Sequence, residues 1–278
     1  MTVQIVTDST SELTGRPEAF DIQILPLLVF IGTECYRDGL DLSSEEFFHK
    51  MAESPTLPTT SQVTPAQFAE AFRAHREAGR EVVGIFISSK LSGTYNSAVL
   101  AQETLGGEGI YLIDSQTATF SLGAIVLEAA RLAREGRGGA EIAEWARRAV
   151  ATHMMYGVID SLDHLRRGGR LSLGSAIVGN ILGVKPVITI RDGEVIMLAK
   201  ARGYKNALRW MLGDSEKNGL PMRGKTVYLA YSLDKSGLNL VEEMIRQKFA
   251  PREFVALEIG AVVGTHIGPG ALGFCVVE

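Results

Sequence analysis

Residues 82–94 read Val-Val-Gly-Ile-Phe-Ile-Ser-Ser-Lys-Leu-Ser-Gly-Thr, an apolar run that passes straight into a loop of hydroxyls ending on Gly93 and Thr94. A short unbroken apolar stretch is how a strand buried on both faces reads, and a hydroxyl-rich loop behind it suits the start of a helix. The same order recurs where residues 3–7 lead into Asp8-Ser9-Thr10-Ser11 and where residues 110–114 end on Asp114-Ser115. Residues 22–30 supply one more apolar run, expected as a single strand. Helical patterns fill the intervals. Thr64, Pro65 and Gln67 make a capping box with proline in the first turn, Phe68, Phe72 and His75 mark one face, and Gly79 closes the segment. Ser43 with Glu46 opens a shorter helix, and residues 122–134 and 140–153 read as two longer ones split by the glycine-rich turn at 136–139. Strands alternating with helices predict an α/β fold with a mostly parallel sheet flanked by helices.

The second half departs from that pattern. Residues 156–160 predict a strand, Arg166 to Arg170 a basic glycine turn, and the stretch through Ile177 and Leu182 an apolar helix. Residues 185–191 and 194–199 flank Asp192-Gly193, a dipeptide suited to the positive φ of a tight hairpin turn. Strands over 227–232, 254–259 and 272–277 enclose two helices, so this half reads as a mixed α/β lobe. At 278 residues the chain is long enough for about two domains. The expected division is an N-terminal α/β domain, residues 1–154, and a C-terminal mixed lobe, residues 155–278, with a ligand between them.

Composition narrows the function. Twenty-eight basic against 32 acidic side chains leave a formal charge of −4, without the domain-scale basic excess that binding nucleic acid requires. Cys35 and Cys275 lie far apart with no CxxC spacing, which predicts neither a disulfide framework nor a thiolate zinc site. The first residues carry no signal-peptide pattern, and the longest apolar stretches are too short to span a bilayer. A cytoplasmic protein is expected, with at most transient contact with a membrane surface.

In open α/β sheets ligands bind beyond the carboxyl ends of the strands, so the polar loops there are the place to look. Four are hydroxyl-rich: Asp8–Ser11, Thr59–Gln62, Ser88–Thr94 and Asp114-Ser115. Each alone is explained by helix capping, but together they offer a convergence point. Thr60, Ser61, Ser92 and the N–H of Gly93, backed by a helix N-terminus, would receive an anion. Lys90 is the only nearby cation in sequence, which favours a single carboxylate over a polyphosphate, and no GxxxxGK[ST] loop is present. Gly268 to Gly273 formally matches GxGxxG, yet too few residues follow for the helix and acidic partner that motif needs. A tight turn is expected there, with His266 just before it. His49, His75, His153 and His164 show no metal spacing, and no metal or cofactor is expected. The basic turn of Arg166, Arg167 and Arg170 is either a solvated corner or a contact for an anionic group. A different class of function also remains open: a serine hydrolase or acyl-transfer enzyme with Ser92 as nucleophile, His266 as base and Asp8 or Asp114 as orienter. Against it, Ser92 lacks the GxSxG elbow.

The ordered set TDSTSEL (7–13), PTTSQ (58–62), SSKLSGTYNSA (88–98), Asp114-Ser115, LRRGGRLS (165–172) and GTHIGPGALG (264–273) strongly resembles the DegV family across nearly the whole chain. Val63, Ile267 and Tyr204 depart from the commoner pattern. The resemblance implies a two-lobed bacterial lipid-binding protein, not itself an enzyme. It would hold one long-chain fatty acid in a closed tunnel and present the carboxylate to a separate ATP-dependent fatty acid kinase. Acyl phosphate would then form for phospholipid synthesis. By the same resemblance Thr60 and Ser92 would hydrogen-bond the carboxylate, Ser61 and Gly93 would flank it, and His266 and Arg170 would lie near the head group. Each buried methylene contributes about 0.8 kcal/mol, so a tail of about fifteen contributes on the order of 12 kcal/mol before association costs. Hydroxyls then need only fix register and keep the buried carboxylate paired. Tunnel depth is expected to depend on residues such as Phe120, Ile125, Ile177, Leu182 and Met197.

Overall fold

The structure is a computed structural model that describes residues 2–16, 19, 21–172 and 183–277. Its strands and helices run β1 (Val3–Asp8), β2 (Ile22–Leu25), β3 (Leu28–Ile31), β4 (Glu34–Arg37), α1 (Ser44–Glu53), β5 (Thr59–Ser61), α2 (Pro65–Glu77), β6 (Glu81–Phe86), α3 (Thr94–Thr104), β7 (Ile110–Asp114), α4 (Thr119–Arg134) and α5 (Gly139–Thr152). They continue with β8 (Met154–Val158), α6 (Asp163–Arg167), β9 (Val184–Arg191), β10 (Glu194–Arg202), α7 (Tyr204–Lys217), β11 (Thr226–Tyr231), α8 (Ser236–Phe249), β12 (Glu253–Glu258), α9 (Ala261–Ile267) and β13 (Leu272–Val276).

Three sheets result. The parallel sheet is ordered β2-β1-β6-β7, and a small antiparallel one is ordered β4-β3-β5. The six-stranded sheet, β10-β9-β8-β13-β11-β12, is antiparallel except for the β11–β12 pair. The α/β class with a parallel sheet and a mixed sheet is therefore as expected. Both capping boxes form: Ser43 Oγ accepts from Glu46 N, and Thr64 Oγ1 accepts from Gln67 N. The Asp192-Gly193 turn takes φ of 52° and 80°, as its hairpin requires. Helix α4 is buried all round over its first half, Thr119 to Val126, because it packs against strands of both large sheets.

Several expectations are corrected. The run 22–30 is two strands, not one. Pro26 has no N–H to continue a ladder, and the chain leaves β1 there to build the small sheet, with Leu27 N donating to Ser9 Oγ (3.1 Å). Thr59–Ser61 is not a loop but strand β5, paired with β3. The basic turn is in part helical: Arg166 and Arg167 close the short helix α6, and the turn proper begins at Gly168. Helices α8 and α9 fill the two intervals between the late strands, α9 although Val262, Val263, Gly264 and Thr265 are poor helix formers. Helix α9 forms because remote acidic residues receive its first N–H groups: Glu12 Oε2 accepts from Gly260 N at 2.7 Å, and Asp38 Oδ1 accepts from Ala261 N at 3.0 Å. The expected helix through Ile177 and Leu182 lies outside the described residues.

Candidate functional site

A cavity of about 350 Å³ lies between the six-stranded sheet and the carboxyl end of the parallel sheet, where an open α/β architecture places its ligands. Its sheet face is apolar. Met155 and Gly157 of β8 sit beside Ile188 and Ile190 of β9, and Gly273 of β13 is directly opposite Gly157 in register. Two facing glycines leave a trough in the sheet where side chains would otherwise fill the space. A Cβ on Gly273 would lie 2.8 Å from Phe120 Cζ, so the Phe120 ring takes part of that room. The opposite wall comes from the start of α4, the loop after β6 and the inner face of α9.

All six residues expected at an anion site line this cavity: Thr60, Ser61, Ser92, Gly93, Arg170 and His266. Their contacts make one continuous cluster. Thr60 Oγ1 and His266 Nε2 share a hydrogen bond of 3.1 Å. Arg170 Nε donates to Leu91 O at 3.2 Å and its Nη1 to Gly168 O at 2.5 Å, carrying the guanidinium from the α6 turn to the residue before Ser92. Ser92 Oγ pairs with Thr94 Oγ1 at 2.9 Å at the start of α3. Gly93 packs on the Gln62 amide so closely that a Cβ there would meet its Oε1 at 2.0 Å. Gln62 in turn donates to Ser97 Oγ at 2.8 Å. Gln62 lines the cavity as well, and its place in TTSQ was the only signal for it.

His266 is held neutral at pH 7. Burial first, then the positive field of Arg170 and the neighbouring His164, pull its pKa down to about 4. Its Nδ1 is buried with no hydrogen-bond partner among the described residues, and Gly168 packs on that edge, where a Cβ would come within 2.4 Å. The site thus combines neutral hydroxyls, a neutral imidazole and one guanidinium, donors suited to a single carboxylate.

Two of the four polar loops do other work. Asp8 turns inward, accepting from Thr10 N (3.0 Å), Thr10 Oγ1 (2.5 Å) and Ile87 N (2.8 Å), and burial raises its pKa to about 6. It ties the end of β1 to the end of β6. Asp114 accepts from Ser89 N and Ser89 Oγ at 3.1 and 2.5 Å, fixing the next loop along. Lys90 faces a separate shallow recess beside Asp114 and Asp192, so Arg170 and not Lys90 brings the charge. These bonds also leave the hydrolase arrangement unassembled: Ser92 bonds Thr94, His266 bonds Thr60, and neither Asp8 nor Asp114 meets the imidazole. Of the residues expected to set tunnel depth, Phe120 lines the cavity, whereas Ile125 and Met197 pack in the core behind it. Ile177 and Leu182 lie outside the described residues. Among the described residues no group of three or more His, Cys, Asp or Glu is placed to hold a metal, and no helix is long and apolar enough to cross a membrane.

Fold and cavity together define an α/β protein with a largely apolar ligand chamber, polar at one end, between two sheets. A family model described as uncharacterised protein, DegV family, matches residues 2–278. A DegV domain-containing protein of Caldanaerobacter subterraneus subsp. tengcongensis is 37% identical, with 98% of this chain and 97% of that one covered. The chain belongs to the DegV family. Among solved structures, a fatty-acid-binding DegV family protein from Thermus thermophilus superposes with a TM-score of 0.92 at 32% identity, both chains covered fully. DegV of Bacillus subtilis, solved as a fatty acid binding protein, gives 0.83 at 29% identity over 100% and 99% of the two chains.

Proposed function

We propose that this protein is a carrier that binds one long-chain fatty acid in the chamber and presents its carboxylate to a separate ATP-dependent kinase for conversion to acyl phosphate. The observation that carries the reading is the chamber itself, apolar along the sheet and lined elsewhere by Thr60, Ser61, Gln62, Ser92, Arg170 and His266. The tail supplies the affinity, while hydroxyl donors hold the carboxylate in register without a metal or a cofactor. In this reading residues 1–154 supply the head-group loops and residues 155–278 cover the chain. The fatty-acid-binding relatives support the ligand class. The kinase step is what the resemblance to the DegV family implies for a carboxylate held by neutral donors.

The experiment mixes the protein with oleic acid, ATP and a bacterial fatty acid kinase, and follows acyl phosphate by trapping with hydroxylamine. Turnover that depends on this protein, and that drops in Thr60→Ala and Ser92→Ala, is the expected result. Turnover indifferent to both substitutions would remove the head-group assignment.

A further inference from the structure

Beside the chamber lies a second, surface-reaching recess of about 610 Å³, and Met155 and Ile190 line both. On the recess side Leu112, Ile113 and Val150 are the apolar part of a lining that also carries Asp114, Arg147, Arg191, Asp192 and Asp214. Met155 and Ile190 therefore stand at the border of the two spaces. They differ in what holds them. Ile190 is β-branched and stiff at χ1. Met155 has its backbone fixed, paired with Cys275 across the β8–β13 ladder and with its carbonyl receiving Thr189 Oγ1 at 2.6 Å. Its side chain is buried in the core, receives a weak sulfur contact from Thr117 Oγ1 at 3.8 Å, and is unbranched with three rotatable bonds. Met155 also lies at the far end of β8 from the Arg170 turn, about 13 Å from Ile159 at roughly 3.3 Å per residue.

We propose that Met155 is the residue that sets acyl length in this chain, a movable partition between the chamber and the recess. A tail too long for the chamber turns the thioether aside and lays its methyl end against Leu112, Ile113 and Val150. This rests on the fatty-acid reading above and adds to it a substrate class: chains longer than the closed chamber accommodates. Gating by one flexible side chain needs no movement of the sheet. Each further methylene that reaches the apolar part of that lining is worth about fourfold in affinity.

The test is a length series from lauric to behenic acid, measured by competition against a fluorescent fatty acid, in the wild type, Met155→Ala, Met155→Trp and Ile190→Ala, with circular dichroism confirming each fold. Met155→Ala should raise the affinity of behenic over palmitic acid by about 16- to 60-fold, as two or three methylenes gain access to the recess. Met155→Trp should lower that ratio, and Ile190→Ala should raise it by widening the same gap. Equal length profiles in all four proteins, with palmitic acid still bound, would overturn the partition and leave the carrier reading standing. A wild type that takes up no fatty acid of any length would overturn both.

Discussion

The polar end of the chamber is assembled from side chains that lie far apart in sequence, Thr60, Ser92, Arg170 and His266, whereas its sheet face is a patch of neighbouring strand residues, Met155 and Gly157 beside Ile188 and Ile190. The two surfaces do different energetic jobs. A neutral hydrogen bond nets about 1 kcal/mol because water offered the same bond outside, while every methylene laid on the sheet face contributes about 0.8 kcal/mol. Four donors cannot match a tail of fifteen carbons. Affinity therefore belongs to the trough, and register belongs to the hydroxyls.

The sharpest way to break this contrast is to fill the trough and leave the donors alone. Gly157 faces the chamber, and a Cβ there meets nothing nearer than Ile188 Cγ1 at 3.4 Å, so the strand accepts a side chain. Gly157→Leu should lower fatty acid affinity by more than about 100-fold, as several methylenes lose their place, with the ligand-free melting temperature shifted by only a few degrees. Isothermal titration beside a thermal melt would show this. Binding within tenfold of the wild type would mean that the tail does not use the trough.

Next in size is a property of the polar end alone. Burial beside Arg170 and His164 lowers the His266 pKa from 6.5 to about 4. Between those values the unfolded chain takes up a proton that the folded one refuses, so this group's contribution to stability is full above 6.5 and is lost as pH falls toward 4. The loss is on the order of 3 kcal/mol. Asp8 acts with the opposite sign, because burial raises its pKa from 3.8 to about 6 and its contribution grows as pH falls through that window. The difference between the wild type and His266→Gln isolates the histidine: ligand-free melts should find the variant losing less stability on acidification. Parallel pH curves would show that His266 titrates as an ordinary exposed histidine.

The smallest effects are expected from the donors. Thr60→Ala and Ser92→Ala should each weaken binding by about tenfold, the lower end of what one hydrogen bond to a charged oxygen contributes. Their effect on kinase turnover should exceed their effect on retention, since register matters more to transfer than to holding. Equal losses in both readouts would erase the division of labour between the two surfaces.

That division also explains what was legible in the sequence. The polar end was readable because hydroxyls, glycines and basic residues in loops stand out against their neighbours, and all six residues singled out do line the chamber. The strand-loop-helix order, the capping boxes at Ser43 and Thr64 and the Asp192-Gly193 turn were likewise local signals. The sheet face was not readable. In a strand buried on both sides the apolar alternation disappears, and nothing in Met154-Met155-Tyr156-Gly157-Val158 says which residues face a chamber. The anchoring of helix α9 was hidden for another reason: Glu12 and Asp38, its stabilising carboxylates, come from the opposite end of the chain and look like ordinary solvated charges until the fold joins them. Burial and mutual repulsion raise the pKa of Glu12, and burial that of Asp38, which only the folded arrangement could reveal. The break at Pro26 was in principle visible, but the apolar run on both sides concealed it.

The central claim is that this chamber holds one fatty acid, and native mass spectrometry of the protein purified from a bacterial host tests it most directly. The account predicts a single adduct with the mass of one long-chain fatty acid, present under native conditions and released on denaturation. A protein that carries no adduct, and that gains none when oleic or palmitic acid is added, would contradict it.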